Sequence, residues 1–164
     1  MKEKGDLEIV KKLISDADIL INNFRPGVMD KIGLGFNDCK KINSNLIYAS
    51  INGFGDAGPY SNAPAYDHVV QAMAGATNIQ ADNDEPAYIK TLLCDKITAY
   101  TVCQSLSSAL FKRERTGDAD RLNLSMIDSA VFFLWPDGMM NHTLLDDDVV
   151  TVSYTHLRAH ETLE

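Results

Sequence analysis

Leu7, Ile9, Val10, Leu13 and Ile14 recur at helical spacing and predict an amphipathic helix over residues 7–15. Asp16 and Asp18 then lead into Ile19, Leu20 and Ile21, a short apolar run that reads as a buried strand. Pro26 and Gly27 mark residues 22–27 as a loop. Residues 28–32 follow as a helical turn closed by Gly33 and Gly35, and residues 36–42 as another short helix. The clearest strand is 46–51, β-branched and aromatic, and bounded by Asn and Gly.

Residues 53–64 are rich in Gly, Pro, Ser and Asn and predict a loop. Residues 66–74 have a helical pattern that stops at Gly75, and 82–86 form a polar connection. The longest predicted helix covers 97–115, with Val102, Leu106, Leu110 and Phe111 as its apolar stripe. Lys112, Arg113 and Arg115 lie in its last turn and Gly117 follows, a combination suited to a helix C-terminus. Residues 121–125 alternate as a strand should, and 126–134 read as a helix. No internal repeat is present. The alternation of helix and strand predicts an α/β fold with a mainly parallel sheet.

Composition agrees with a single packed domain. Of 164 residues, 45% are hydrophobic and 23% charged. The net charge of −8 is the opposite of a nucleic-acid binder's basic footprint. Any anionic ligand must therefore be met by local cations. Cys39, Cys94 and Cys103 are widely spaced and odd in number, which reads as free thiols in the cytoplasm. No apolar run approaches the roughly 18 residues of a membrane span, and the charged N-terminal stretch lacks a secretory apolar region.

The segment 152–164 has no clear continuity with what precedes it. It resembles the read-through translation of a transposon-end adaptor used in sequencing libraries. The expected organisation is thus a domain at 1–151 and a non-native tail at 152–164. His156 and His160 stand four apart there, a spacing that mimics a metal pair, but no metal site is expected. Asp146, Asp147 and Asp148 read as a solvated acidic run, and His142 stands alone.

Several groups could carry chemistry. Gly53, Gly55 and Gly58 match the spacing of a dinucleotide fingerprint after a predicted strand. That fingerprint needs a helix to open at its third glycine. Pro59, Ser61, Asn62 and Pro64 follow instead, so a structural or ligand-lining turn is the better reading. The loop Asn23-Phe24-Arg25-Pro26-Gly27 follows a strand end, where α/β folds place ligands. Arg25 could fork onto a phosphate and Phe24 could stack on a base. The residues alone favour a surface arginine beside a structural turn. Asp95 precedes the longest predicted helix, where an N-cap stabilised as an anion is the plain reading and a carboxylate nucleophile the chemical one. Tyr66, Asp67 and His68 are adjacent and cannot all face one site; Asp67 reads as a cap and His68 as structural.

Four stretches change this balance: ADILINNFRPGVMDKIGLGF, NLIYASINGFGDAGPY, PAYDHVVQAMAG and ALFKRERTGDADRLNLSMIDSAV. In this order and spacing they resemble the class III coenzyme A-transferases, the family of formyl-CoA transferase and carnitine CoA-transferase. The similarity covers about residues 7–134. It implies part of a Rossmann-like large domain and transfer of CoA from an acyl-CoA donor to a carboxylic acid through a covalent aspartyl intermediate. The resemblance places the catalytic aspartate on Asp95. It places CoA-contacting residues on Asn23, Phe24, Arg25, Lys31 and Met126, and the active-site tyrosine on Tyr66 with an acidic neighbour at Asp67.

Departures from the family pattern are Cys94 before the aspartate and Lys96 after it, which could pair with Asp95, and Pro64-Ala65 where a basic residue is usual. The related α-methylacyl-CoA racemases use a His and an Asp as two bases. Their His falls where this chain has Tyr66, with His68 two places on, which favours the transferase. An alternative from another class is a non-catalytic nucleotide-binding α/β module using residues 53–58. The resemblance also implies an interlocked homodimer. It implies a further N-terminal strand and helix, a Gly-rich loop over the aspartate and a second domain, none of them in this chain. The chain by itself is expected to be poorly soluble and to have little or no activity.

Overall fold

The computed structural model describes residues 4–81 and 85–139. Helix α1 (Lys4–Asp16) leads into strand β1 (Ile19–Asn22), followed by short helices α2 (Val28–Lys31) and α3 (Phe36–Ile42) and strand β2 (Ile47–Asn52). Helices α4 (Asp67–Met73), α5 (Ala76–Ile79) and α6 (Leu93–Thr116) come before strand β3 (Arg121–Ser125). Helix α7 (Met126–Leu134) runs on into a π-helical turn, Trp135–Met139. Every predicted element is present. Helix α5 and the π turn are additional, each too short to leave a periodic signal of its own.

The strands form a parallel sheet in the order β1-β2-β3. Ile19 pairs with Ile47, and Tyr48 with Arg121. The expected α/β class with a parallel sheet is what the chain adopts. All crossovers are helical, as parallel strands require.

One core lies between α1, α2, α3 and the sheet, where Ile14, Met29, Leu34, Cys39 and Leu46 pack with Tyr48. The Tyr48 hydroxyl donates to the Leu34 carbonyl at 3.0 Å, so its one polar atom is satisfied inside that core. A second core joins helices only: Val70, Ala74, Ala76, Cys94, Ala130 and Leu134. Their small side chains let α4, α5, α6 and α7 approach closely. On the sheet's other face α6 packs over β2 and β3. It leaves Ile21 at 53% exposure, so β1 is only half-buried and not the buried strand its apolar run suggests.

Helix α6 spans about 36 Å at 1.5 Å per residue. It ends as predicted, with Gly117 in the left-handed region (φ 79°) and its N–H on the Arg113 carbonyl at 2.8 Å. Its start and stripe differ from expectation. The helix begins at Leu93, four residues before the predicted 97. Phe111, placed on the apolar stripe, is 66% exposed beneath the Arg115 guanidinium. The buried positions are Cys94, Ile97, Thr98, Val102 and Ala109. His142, Asp146, Asp147, Asp148, His156, His160 and the tail 152–164 lie outside the described residues.

Candidate functional site

Parallel strands all end on one side, and loops at their carboxyl ends are where α/β sheets form crevices. The segment after β1 supplies Asn23, Phe24 and Arg25. The end of β2 supplies Ile51 and Asn52, with Gly53 directly after it, and the residue after β3 is Met126. Together with Ala65 and Tyr66 before α4, and Asp95, Thr98 and Val102 on α6, they line a cleft of about 630 Å³. Asn23, Phe24, Arg25, Tyr66, Asp95 and Met126 are thus brought together. Lys31 does not line this cleft; it is exposed in the last turn of α2. A smaller cavity of about 270 Å³ lies beside the first and shares Phe24, Arg25, Pro26, Ile51 and Asn52 with it.

Local chemistry places each wall. Asn52 folds back on the loop that follows, its Oδ1 accepting the Gly55 N–H at 2.6 Å and its Nδ2 donating to Asp56 at 3.0 Å. Gly55 and Gly58 take positive φ values of 84° and 92°. The next helix opens at Asp67, so the Gly53–Gly58 spacing builds turns and no pyrophosphate-binding helix N-terminus. Ser125 caps α7 by accepting the Asp128 N–H at 3.1 Å, and its hydroxyl donates to the Asp128 carboxylate. The Ile127 N–H reaches back to the Gly53 carbonyl at 3.0 Å, which fixes Met126 against the β2 end.

Asp95 is not an N-cap. Leu92 occupies that position without a side-chain cap, and Asp95 lies in the first turn of α6. Its backbone N–H donates to Asp67 Oδ1 at 3.0 Å. Asp67 therefore caps α6 across the structure, not its own helix as its position suggested, and is only 3% exposed. The Asp95 carboxyl faces the open cleft, yet its pKa is raised above the ordinary 3.8. Loss of hydration to the surrounding protein is the larger cause, and the negative charge of Asp67 adds to it.

Lys96 does not pair with Asp95. Its ammonium donates to the Thr91 hydroxyl at 2.7 Å. Cys94 is fully buried, and burial, with Asp67 and Asp95 nearby, pushes its thiol up to about 12. It is an unreactive core residue. Cys39, Cys94 and Cys103 are all unpaired. His68 does not line the cleft; it stands edge-on to Tyr88 at 5.4 Å between centroids. Among the described residues no cluster of three or more His, Cys, Asp or Glu could hold a metal ion, and no helix is long and apolar enough to cross a membrane.

Sequence reasoning missed Gln71, and it read Gly53 as part of a structural or ligand-lining turn without its packing partner. Gln71 stands four residues after Asp67 on α4, an i,i+4 pairing visible in the sequence but common on ordinary helix surfaces. Gly53 matters through a neighbour twelve residues on, since a Cβ there would stand 2.1 Å from Ala65 Cβ.

The pattern of CoA-transferase family III matches residues 1–157. The chain belongs to that family. The acetyl-CoA:oxalate CoA-transferase of Acetobacter aceti is 41% identical over 136 residues, covering 82% of this chain and 35% of the relative. The formyl-CoA:oxalate CoA-transferase of Escherichia coli is 38% identical over 125 residues, covering 76% and 30%. The chain thus spans about a third of the length of the curated relatives it matches. Among solved structures, Rv3272 from Mycobacterium tuberculosis superposes with a TM-score of 0.82 at 34% identity, over 87% of this chain and 41% of that one. A CAIB/BAIF family protein from Brucella suis gives a TM-score of 0.82 at 34% identity, over 86% and 37%.

Proposed function

We propose that Asp95 is the nucleophile of a CoA-transferase that moves CoA from an acyl-CoA donor to a carboxylic acid. The observation that carries this reading is the position of the Asp95 carboxyl. It lines a cleft at the carboxyl ends of the strands that Asn23, Phe24 and Arg25 also line. A raised pKa makes its carboxylate a stronger base than a free aspartate, which suits nucleophilic attack.

The Asp95 carboxylate attacks the thioester carbonyl, the C–S bond breaks, and CoA leaves as thiolate from a mixed anhydride. The thiolate attacks the Asp95 carbonyl of that anhydride, releasing the first acid as carboxylate and leaving an aspartyl-CoA thioester. The acceptor carboxylate attacks the same carbon and expels the thiolate. The thiolate then attacks the acceptor's carbonyl and frees Asp95. Each species is an activated acyl group, so no step stands far uphill. The Tyr66 hydroxyl, on the same cleft, offers an oxyanion donor. Arg25 meets CoA phosphate, Phe24 an aromatic ring, Asn23 a polar group and Met126 apolar surface. Lys31 extends the basic set past the cleft.

The reading applies to a protein of the relatives' length; the 164-residue chain alone turns over little or nothing. It includes a homodimer, supported by the exposure of Tyr100, Phe132 and Phe133 at 78%, 84% and 55%. It also includes a cytoplasmic setting, supported by three unpaired cysteines.

The test is trapping. A family-length protein carrying this sequence is incubated with acyl-CoAs and quenched with hydroxylamine, and the modified peptide is mapped by mass spectrometry. Oxalate is the first acceptor to add, because the relatives are named for it. The expected result is a hydroxamate on Asp95 that Asp95→Ala abolishes. No such product, together with exchange of the substrate's α-proton, would replace this reading with racemisation.

A further inference from the structure

Gln71 has no exposed surface, and both ends of its amide are used. Its Nε2 donates to Asp67 Oδ2 at 2.7 Å and to the carbonyls of Thr91 and Ile89 at 3.0 and 3.3 Å. Its Oε1 accepts the Ile89 N–H at 3.0 Å. One side chain therefore grips the backbone that enters α6. The other oxygen of Asp67 holds the Asp95 N–H at 3.0 Å. All of these bonds lie between residues at least 18 apart except the Asp67–Gln71 contact within α4.

A fully buried polar side chain is costly unless its bonds are complete. A helix start could be capped at far lower cost by a local Ser or Thr. Here a carboxylate is placed beneath a second carboxylate, against its charge. We infer that Gln71 and Asp67 form a buried clamp that sets the position of Asp95, and that both are positioning residues for acyl transfer at that carboxylate. The inference rests on Asp95 being the reacting group.

The groups facing Asp95 bear on its titration. Tyr66 and Asp67 approach from the start of α4, and Arg25 lines the same cleft from the β1–α2 loop. On α6 itself, Cys94 is buried beside it and Lys96 is turned to Thr91. Asp67 is the charged group that pushes Asp95 up. Its removal without change of shape therefore has a signature that a plain structural role lacks.

The experiment compares the parent chain with Asp67→Asn, Gln71→Ala and Ile14→Ala, the last altering only the other core. Carbon-13 carboxyl NMR reads the Asp95 titration, and hydrogen exchange reads its amide. Asp67→Asn should make Asp95 titrate at lower pH than in the parent. Gln71→Ala should speed exchange over residues 89–95 by roughly fivefold or more, as for a lost buried hydrogen bond. Ile14→Ala should lower overall stability and do neither. An Asp95 titration that is the same with Asp67→Asn would overturn the inference, as would exchange over 89–95 no faster in Gln71→Ala than in Ile14→Ala. If Gln71→Ala does not fold, the isosteric Asp67→Asn decides alone. Both readouts are independent of turnover. A parent protein that never acylates Asp95 would sink the transferase reading and with it the positioning role in acyl transfer, whereas unchanged titration and exchange in the variants would sink the clamp alone.

Discussion

The α-carbon of Gly53 sits against the methyl group of Ala65, so closely that a Cβ on Gly53 would meet Ala65 Cβ at 2.1 Å. Gly53 ends β2's crossing into the cleft, and Ala65 precedes Tyr66, so this contact sets the gap between two walls of the site. Gly53→Ala should push the 64–66 segment outward and cost roughly 1–3 kcal/mol, the usual range for overpacking. Denaturant unfolding checks the stability, and weaker acyl-CoA binding by the folded variant checks the wall.

Asp95 should make stability depend on pH in a direction opposite to most aspartates. Its pKa is raised in the folded protein, so the native state holds this proton more tightly than the unfolded chain. The corresponding stability is complete below the ordinary value of 3.8 and is lost as pH rises through the raised one. Asp95→Asn should therefore melt higher than the parent at neutral pH, with the gap closing as the solution is acidified. Thermal melts across that range measure it. A variant that is less stable at neutral pH would contradict the sign. In the trapping assay, hydroxamate yield should fall on acidification at a pH above that ordinary value, as Asp95 takes up its proton.

Arg113 pins the far end of α6. Its guanidinium donates to Asp18 Oδ1 at 2.7 Å, to the Asp18 carbonyl at 3.3 Å and to the Asn45 carbonyl at 3.0 Å. Arg113→Met should cost about 1–3 kcal/mol, since charged hydrogen bonds to two backbone carbonyls are lost. Asp18→Asn should cost no more than about 1 kcal/mol, because that carboxylate is largely solvated. Arg113→Lys should not restore stability, as an ammonium cannot fork across three acceptors. Chemical denaturation of the three variants separates these outcomes.

Ser125 holds Met126 in place through the cap of α7. Ser125→Ala should destabilise by about 0.5–2 kcal/mol, and Ser125→Asp by less, since Asp can also cap. The same pair of variants should rank acyl-CoA affinity in the same order if Met126 forms part of the ligand wall. Isothermal titration with a nonreactive acyl-CoA analogue reads that ranking.

Much of this molecule was legible in the sequence because its signals are local. The apolar spacing of Leu7 to Ile14, the β-branched run at 46–51 and the glycine at 117 depend on neighbours a few residues away, and each element formed where those patterns put it. Asp95 was legible as a candidate on family resemblance, and as a carboxylate near a helix start. What the residues could not reveal was how that helix starts. Its cap comes from Asp67, 28 residues earlier, and its lead-in is held by Gln71 from another helix. Lys96 turned to Thr91 and left Asp95 without the cation that stood next to it in the chain. Local propensity belongs to the sequence because it is decided within a turn of helix or a pleat of strand. The electrostatics of Asp95 belong to the tertiary structure, because burial and charge act through space on whichever groups the fold brings near.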